Sequence, residues 1–201
     1  DDLCIKLKGE PQPGGAIIDL LKFSFWQEPI ENYKNWINDV EYKELDKKLM
    51  EKIHSYQTKS LKNSIEVSES YFKNGTCPIV KSVKWEDKNK KPEILNSVNT
   101  YRYSWHALHH AANMIIFGNS QSSKEIIEEA KIFANNWIKL SWNQLEQDFK
   151  FMWYDHGVAE RQLSLIMLYQ ESVIHNFGDD FIHQIKEIIL LQGRLLESEL
   201  F

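Results

Sequence analysis

The sequence has no basic surplus, little cysteine and no long hydrophobic run, and each absence excludes a class of protein. Lys and Arg together number 24 and Asp and Glu number 29, which gives a formal net charge of -5. Proteins that bind nucleic acid usually carry a basic surplus, so we expect no nucleic-acid partner. No apolar run reaches the roughly 18 residues that a membrane helix requires, so we expect no membrane span.

The two cysteines, Cys4 and Cys77, are too few for a disulfide framework, although they could pair with each other. A chain of 201 residues buries enough apolar surface to fold without a disulfide or a metal. Its 42% hydrophobic and 26% charged residues are typical of a folded protein. The 7 Trp, 8 Tyr and 10 Phe suit a well-packed core, and they also suit a groove that stacks sugar rings.

Hydrophobic periodicity predicts an all-α fold built from antiparallel helical hairpins. Apolar residues recur at helical spacing over about 40–72, 101–117, 122–140, 155–170 and 179–201. The connections are mostly short, as in helical hairpins, and no alternating pattern indicates a strand. We therefore expect an arc of hairpins that does not close, with no substantial sheet.

Helix-end signals refine this prediction. Ser122 and Glu125 have the spacing of a capping box, which would begin a helix at Ser122. Asn74-Gly75 predicts a turn after the first long helix. Residues 179–201 end on the apolar Phe201 without the Gly, Asn or Pro that normally closes a helix. This indicates a piece of a longer protein, and a native C-terminal helix that docks its last residue is the alternative.

The helix predicted over 101–117 carries a polar stripe without charged residues. The stripe lies at positions i, i+3, i+4 and i+7 and comprises His106, His109, His110 and Asn113. A solvent-facing stripe usually contains Lys, Asp or Glu, so this one, beside Trp105, is predicted to line a cleft. Histidines satisfied by neighbours in the core or at the surface are the alternative.

The three histidines also have a spacing that could hold zinc. Zinc sites prefer ligands from separated elements with Cys or acid partners, so we expect neither a metal nor another cofactor.

A second candidate site surrounds the start of the helix predicted from about residue 155. Asp155 suits the N-cap, where its oxygen can accept backbone N–H groups. Arg161 has two possible environments. It is either buried and paired with Glu160 or Asp155, or it faces a groove where its donors bind an anion near the helix N-terminus. Trp153 and His156 flank this start and complete the candidate site.

From Trp85 onward the sequence resembles the N-terminal helical domain of the heparinase II/III-type polysaccharide lyases. The resemblance is carried by Trp85 with Pro92, by the aromatic-rich stretch Tyr101–Phe117, by Asn136-Trp137-Ile138 and above all by Trp153–Arg161. It implies that 85–201 form the first hairpins of an incomplete α/α toroid, with 1–84 an irregular segment and a long helix packed on it. It also implies an anionic polysaccharide partner, cleaved by β-elimination, and a periplasmic or secreted location.

The family uses an Asn-His pair and a Tyr on later toroid helices, together with a His from a β region. No Asn-His pair occurs in this sequence, so the resemblance assigns no catalytic residue, and we expect this chain alone to be inactive. The residues that remain as candidates for the wall of the sugar groove are Trp105, His106, His109, His110, Trp153, Asp155, His156 and Arg161.

Two other functions stay open from the sequence. The first is another α/α-toroid carbohydrate enzyme, a glycoside hydrolase or a uronate epimerase, although Asp155 and Glu160 make a poor hydrolase pair. The second is a non-enzymatic helical interaction domain whose aromatic residues form its core.

Overall fold

The computed structural model describes residues 47–143 and 149–197, and within them the fold is all-α, as predicted. The described helices are α1 (Lys47–Asn74), α2 (Ile94–Ser97), α3 (Asn99–His106), α4 (His109–Gln121), α5 (Lys124–Trp137), a π-helix (Ile138–Trp142), α6 (Phe149–Met152), α7 (Asp155–His175) and α8 (Asp179–Glu197). These residues form no strand, and their only β contact is an isolated bridge between Thr76 and Lys84. The arrangement as part of a toroid stays a prediction.

Some predictions lie outside the described residues, namely those for 1–46, including Cys4, and for Phe201. Cys77 is buried and forms no disulfide within the described residues, so its pairing with Cys4 stays a prediction. Across the described ranges, no helix combines the length and apolar character needed to cross a membrane.

Helix α4 is the centre of the packing. It contacts α1, α5 and α7, and α7 in turn packs on α8. Two residues separate α4 from α5 and three separate α7 from α8, so each packed pair is an antiparallel hairpin. Aromatic rings fill the interior beside α4. Trp85 stacks on Phe133 with ring centroids 4.9 Å apart, and Trp105 stacks on His110 at 5.2 Å.

The helix predicted over 101–117 is divided in two by Leu108. This residue is fully buried and adopts a left-handed φ of 56°, so α3 ends at His106 and α4 begins at His109. A left-handed conformation costs an L-residue about 1–2 kcal/mol, which burial of the leucine side chain offsets. The break turns α4 relative to α3, and the predicted stripe is therefore not one continuous helix face.

The helix ends agree with the sequence at one turn and differ at another. The turn at Asn74-Gly75 is confirmed, because α1 ends at Asn74 and Gly75 takes a φ of 62°. The capping box at Ser122 is wrong by one residue. Ser123 is the N-cap of α5, and its side chain accepts a hydrogen bond from the backbone N–H of Ile126. Ser122 has a left-handed φ of 52° instead, because it closes α4.

Candidate functional site

A polar groove of about 450 Å³ lies between α1, the turn that follows α1, and the α3–α4 region. We call it the α1–α4 groove. Its described lining residues include no carboxylate, and the polar ones are Lys59, Ser60, Asn63, Lys81, Ser104, His109 and Asn113. This volume falls within the range of ligand-binding pockets, and amides, hydroxyls and ammonium groups together suit a ligand that is both anionic and hydroxylated.

Two contacts prepare this lining for a ligand. The buried Ser64 hydroxyl donates to Oδ1 of Asn113 over 2.8 Å, which orients the amide. Nδ2 of Asn113 makes no hydrogen bond to the described residues and is available as a donor. Lys81 lies 3.1 Å from Glu66, whereas the exposed Lys59 forms no ion pair in the described part of the chain. The groove therefore keeps a positive charge.

His109 connects this groove to an acidic side chain on α7. Its Nε2 lies 2.5 Å from Oε2 of Glu160. The ring of Tyr103 packs edge to face against the imidazole of His109, with the ring centroids 5.6 Å apart. The hydrogen bond from His109 is the main reason that the pKa of Glu160 is lowered. Burial opposes this shift, and a hydrogen bond from Tyr103 and the nearby His156 favour it. Glu160 is therefore an anion at neutral pH.

Five of the eight residues predicted to line a sugar groove are buried inside the domain. They are Trp105, His106, His110, Trp153 and Arg161, with exposed fractions of 0% for all but Trp153 at 4%. A side chain buried to this extent presents no surface to a glycan, so their positions do not agree with the predicted groove-lining role.

Of the other three, His109 lines the α1–α4 groove, and His156 is exposed and stacks on Tyr154 at 5.4 Å. The Asp155 side chain lies outside the described residues; Tyr154 holds the N-cap position predicted for Asp155.

Arg161 is buried, as the first alternative had it, but its partners do not include Glu160, and the Asp155 side chain lies outside the described residues. Its Nη1 donates to the backbone carbonyls of His106, at 2.9 Å, and Met152, at 2.8 Å. Its Nε donates to Oε1 of Gln192 at 3.1 Å. No carboxylate within the described ranges pairs with it, and Glu160 is bonded to His109 instead. Arg161 is thus a buried cation held by neutral acceptors.

Two indole rings complete the surroundings of Arg161. The guanidinium carbon lies 5.1 Å from the ring centre of Trp137 and 5.7 Å from that of Trp153. Burial lowers the pKa of Arg161 to about 9, so the group still carries its charge at neutral pH.

The three histidines have different environments, with His106 on α3 and the other two on α4. His110 is fully buried against Trp105, and neither ring nitrogen has a partner in hydrogen-bonding geometry. Burial lowers the pKa of His110 to about 3, although the nearby backbone of Phe133 acts in the opposite direction. Nδ1 of His106 accepts from the indole N–H of Trp137 at 3.4 Å. No group of three or more His, Cys, Asp or Glu suited to a metal occurs where the structure describes the chain.

Sequence reasoning missed the α1 side of the groove. Lys59 and Asn63 are four residues apart and share a helix face, which was a detectable signal. Nothing in the sequence links that face to His109, because only the packing of α1 on α4 brings them together.

No family model matches the chain, and no curated protein or solved structure matches it significantly. The resemblance to the heparinase II/III-type lyases therefore rests only on the motifs quoted above.

Proposed function

We propose that this chain binds an anionic, uronic-acid-containing glycan in the α1–α4 groove, as part of the substrate-binding wall of a polysaccharide lyase. The observation that carries the proposal is the lining of the groove, in which the unpaired Lys59 and the Glu66-paired Lys81 lie among amides and hydroxyls, with no carboxylate among the described lining residues.

The chemistry of the lining suits a uronate in two ways. Lys59 supplies an ammonium group for its carboxylate, and Lys81, which is paired with Glu66, supplies a second one if the uronate replaces Glu66. The local field of a groove can attract an anion even where the whole chain carries a net charge of -5. Asn63, Asn113 and His109 supply donors and acceptors for the ring hydroxyls. Such groups lose hydrogen bonds to water when a ligand enters, so a neutral apolar ligand would leave them unsatisfied.

The resemblance of Trp85–Phe201 to the lyases favours a glycan over other hydroxylated anions. The α1 face of the groove lies outside that stretch, whereas Ser104, His109 and Asn113 lie within it, so only the α1 face supports the proposal independently of the resemblance. An α/α-toroid hydrolase or epimerase would use the same scaffold for a different reaction, and an interaction domain would bind no glycan.

Calorimetric titration of the chain with oligosaccharides of hyaluronan, heparan sulfate and alginate tests the proposal. We expect binding to at least one of them, weakened by added salt because the contact is ionic. The carboxyl-reduced form of the same oligosaccharide is the matched ligand control, and it should bind much more weakly.

Lysine variants test the groove itself. Lys59→Gln and Lys81→Gln should each raise the Kd about tenfold, equivalent to about 1.4 kcal/mol. Lys62→Gln is the matched control, since Lys62 is an exposed lysine of α1 that is not among the described lining residues. Equal binding of the carboxyl-reduced ligand would favour another carbohydrate enzyme. Absence of binding to every oligosaccharide would favour the interaction domain.

A further inference from the structure

We infer that Glu66 is an internal competitor of the ligand in the α1–α4 groove. Its carboxylate holds the ammonium group of Lys81, and an anion that enters the groove must displace it to reach that lysine. The inference rests on the proposed function, because it takes the anionic ligand from there. It adds a residue of α1 that limits the affinity and is not among the described lining residues.

Glu66 lies beside the groove, on the same face of α1 as two of the lining residues. Lys59, Asn63 and Glu66 stand at positions i, i+4 and i+7, which share one helix face. Val67, the next residue along α1, also lines the groove. The side chains of Lys81 and Glu66 are 49% and 53% exposed, so this ion pair can open without disturbing the core.

The contact between Glu66 and Lys81 joins two walls of the groove. Nζ of Lys81 donates a hydrogen bond to Oε2 of Glu66 over 3.1 Å, and the two residues are 15 positions apart in the sequence. The pair therefore connects α1 to the turn that follows it, unlike the Glu69–Lys73 pair, which spans one turn within α1. A carboxylate is also the group that a uronate ligand would offer to Lys81, so Glu66 already supplies what the ligand would bring.

This arrangement gives the two lysines of the groove different roles. Lys59 forms no ion pair in the described part of the chain, so it can contact an anion at once. At Lys81 the ligand either replaces Glu66 or is repelled by its charge, and both effects weaken binding. Exposed ion pairs are weak, so Glu66 lowers the affinity by about two- to fivefold and does not abolish binding.

Calorimetric titration of Glu66→Gln with the oligosaccharides of hyaluronan, heparan sulfate and alginate tests the inference. We expect the Kd to fall about two- to fivefold relative to wild type. Glu69→Gln is the matched control, because it removes the same charge from α1 and its partner Lys73 is not among the described lining residues. It should change the Kd much less. The carboxyl-reduced oligosaccharides should bind both variants as they bind wild type, since they have no carboxylate that competes with Glu66.

A double variant shows whether the effect passes through Lys81. In the Lys81→Gln background, Glu66→Gln should lower the Kd no more than Glu69→Gln does, because the contested ammonium group is gone. A full gain without Lys81 would overturn the inference, since Glu66 would then act only by repulsion.

The remaining outcomes separate the inference from the proposed function. Binding that Glu66→Gln does not tighten, or that Glu69→Gln tightens equally, would overturn the inference and leave the proposed function intact. Absence of binding of every oligosaccharide to both wild type and Glu66→Gln would overturn the two together. Binding by Glu66→Gln that is stronger than that of wild type and of Glu69→Gln, and that depends on Lys81, is the expected result.

Discussion

The guanidinium of Arg161 donates a hydrogen bond of 2.9 Å to the backbone carbonyl of His106, the last residue of α3. A carbonyl at the end of a helix has no partner within that helix and carries a partial negative charge. Met152, whose carbonyl also accepts from Arg161, is the last residue of α6. Arg161 therefore caps two helices at once, which explains how a cation is buried in the absence of a described carboxylate partner.

Replacement of Arg161 should lower stability. We expect Arg161→Met to reduce the free energy of unfolding by roughly 3 kcal/mol, because two buried helix-end carbonyls lose their donor. Arg161→Lys should recover only part of the loss, since one ammonium group cannot replace the planar guanidinium between two indoles. Urea denaturation measures both.

Arg102→Met is the control for this prediction. Arg102 is half-buried with its guanidinium 4.2 Å from the Phe151 ring centre, a contact worth about 0.5–1 kcal/mol. A stable Arg161→Met protein that has lost glycan binding would instead make Arg161 a ligand contact.

The helical class was predictable because burial of one face imposes a helical period on the apolar residues. The break at Leu108 was not, because leucine has no preference for a left-handed backbone and only its tertiary packing holds it there. That single residue decides that the helix restarts at His109, which lines the groove, while His110, the next residue of the same helix, is buried. The partners of Arg161 were equally hidden, since backbone carbonyls leave no mark in a sequence.

His110 should make the fold less stable in mild acid. Its folded pKa of about 3 is below its ordinary value of 6.5, so the unfolded chain binds the proton first. Protonation of His110 therefore leaves the free energy of unfolding unchanged above pH 6.5 and lowers it as the pH falls from 6.5 towards 3. At pH 5 the loss is about 2 kcal/mol, from about 1.4 kcal/mol per unit.

His110→Phe should remove this dependence. At pH 7.5 its unfolding free energy should be within about 1.5 kcal/mol of wild type, because an apolar ring replaces a ring without hydrogen bonds. At pH 5 the wild type should lose about 2 kcal/mol relative to the variant. Guanidinium denaturation at the two pH values measures the difference, and equal losses in both proteins would refute the assignment of the acid effect to His110.

The turn between α4 and α5 gives opposite predictions for two adjacent serines. Ser122→Gly should raise stability by about 1 kcal/mol, because glycine adopts a left-handed backbone without the steric cost borne by serine. Ser123→Ala should lower it by about 1 kcal/mol, because α5 loses its N-cap. Thermal denaturation monitored by circular dichroism measures the stability of both variants. A larger loss from Ser122→Ala than from Ser123→Ala would place the cap at Ser122, as the capping-box pattern predicts.

The close contact of α4 with α5 should make Gly118→Ala destabilising. A Cβ at Gly118 would lie 2.5 Å from Cγ1 of Ile127, 3.1 Å from its backbone nitrogen and 3.2 Å from the Ser123 carbonyl oxygen. The helices would have to separate, at a cost of about 1–3 kcal/mol. In Gly193→Ala, the matched control on α8, the new Cβ would lie 3.6 Å from Gln162 Nε2, an ordinary contact. This control should instead gain about 0.5–1 kcal/mol from the better helix propensity of alanine.

Ile127→Ala removes the side chain that Gly118→Ala would strike, so the double variant should lose less stability than the sum of the single losses. Strict additivity in urea denaturation would show that the two positions are not in contact.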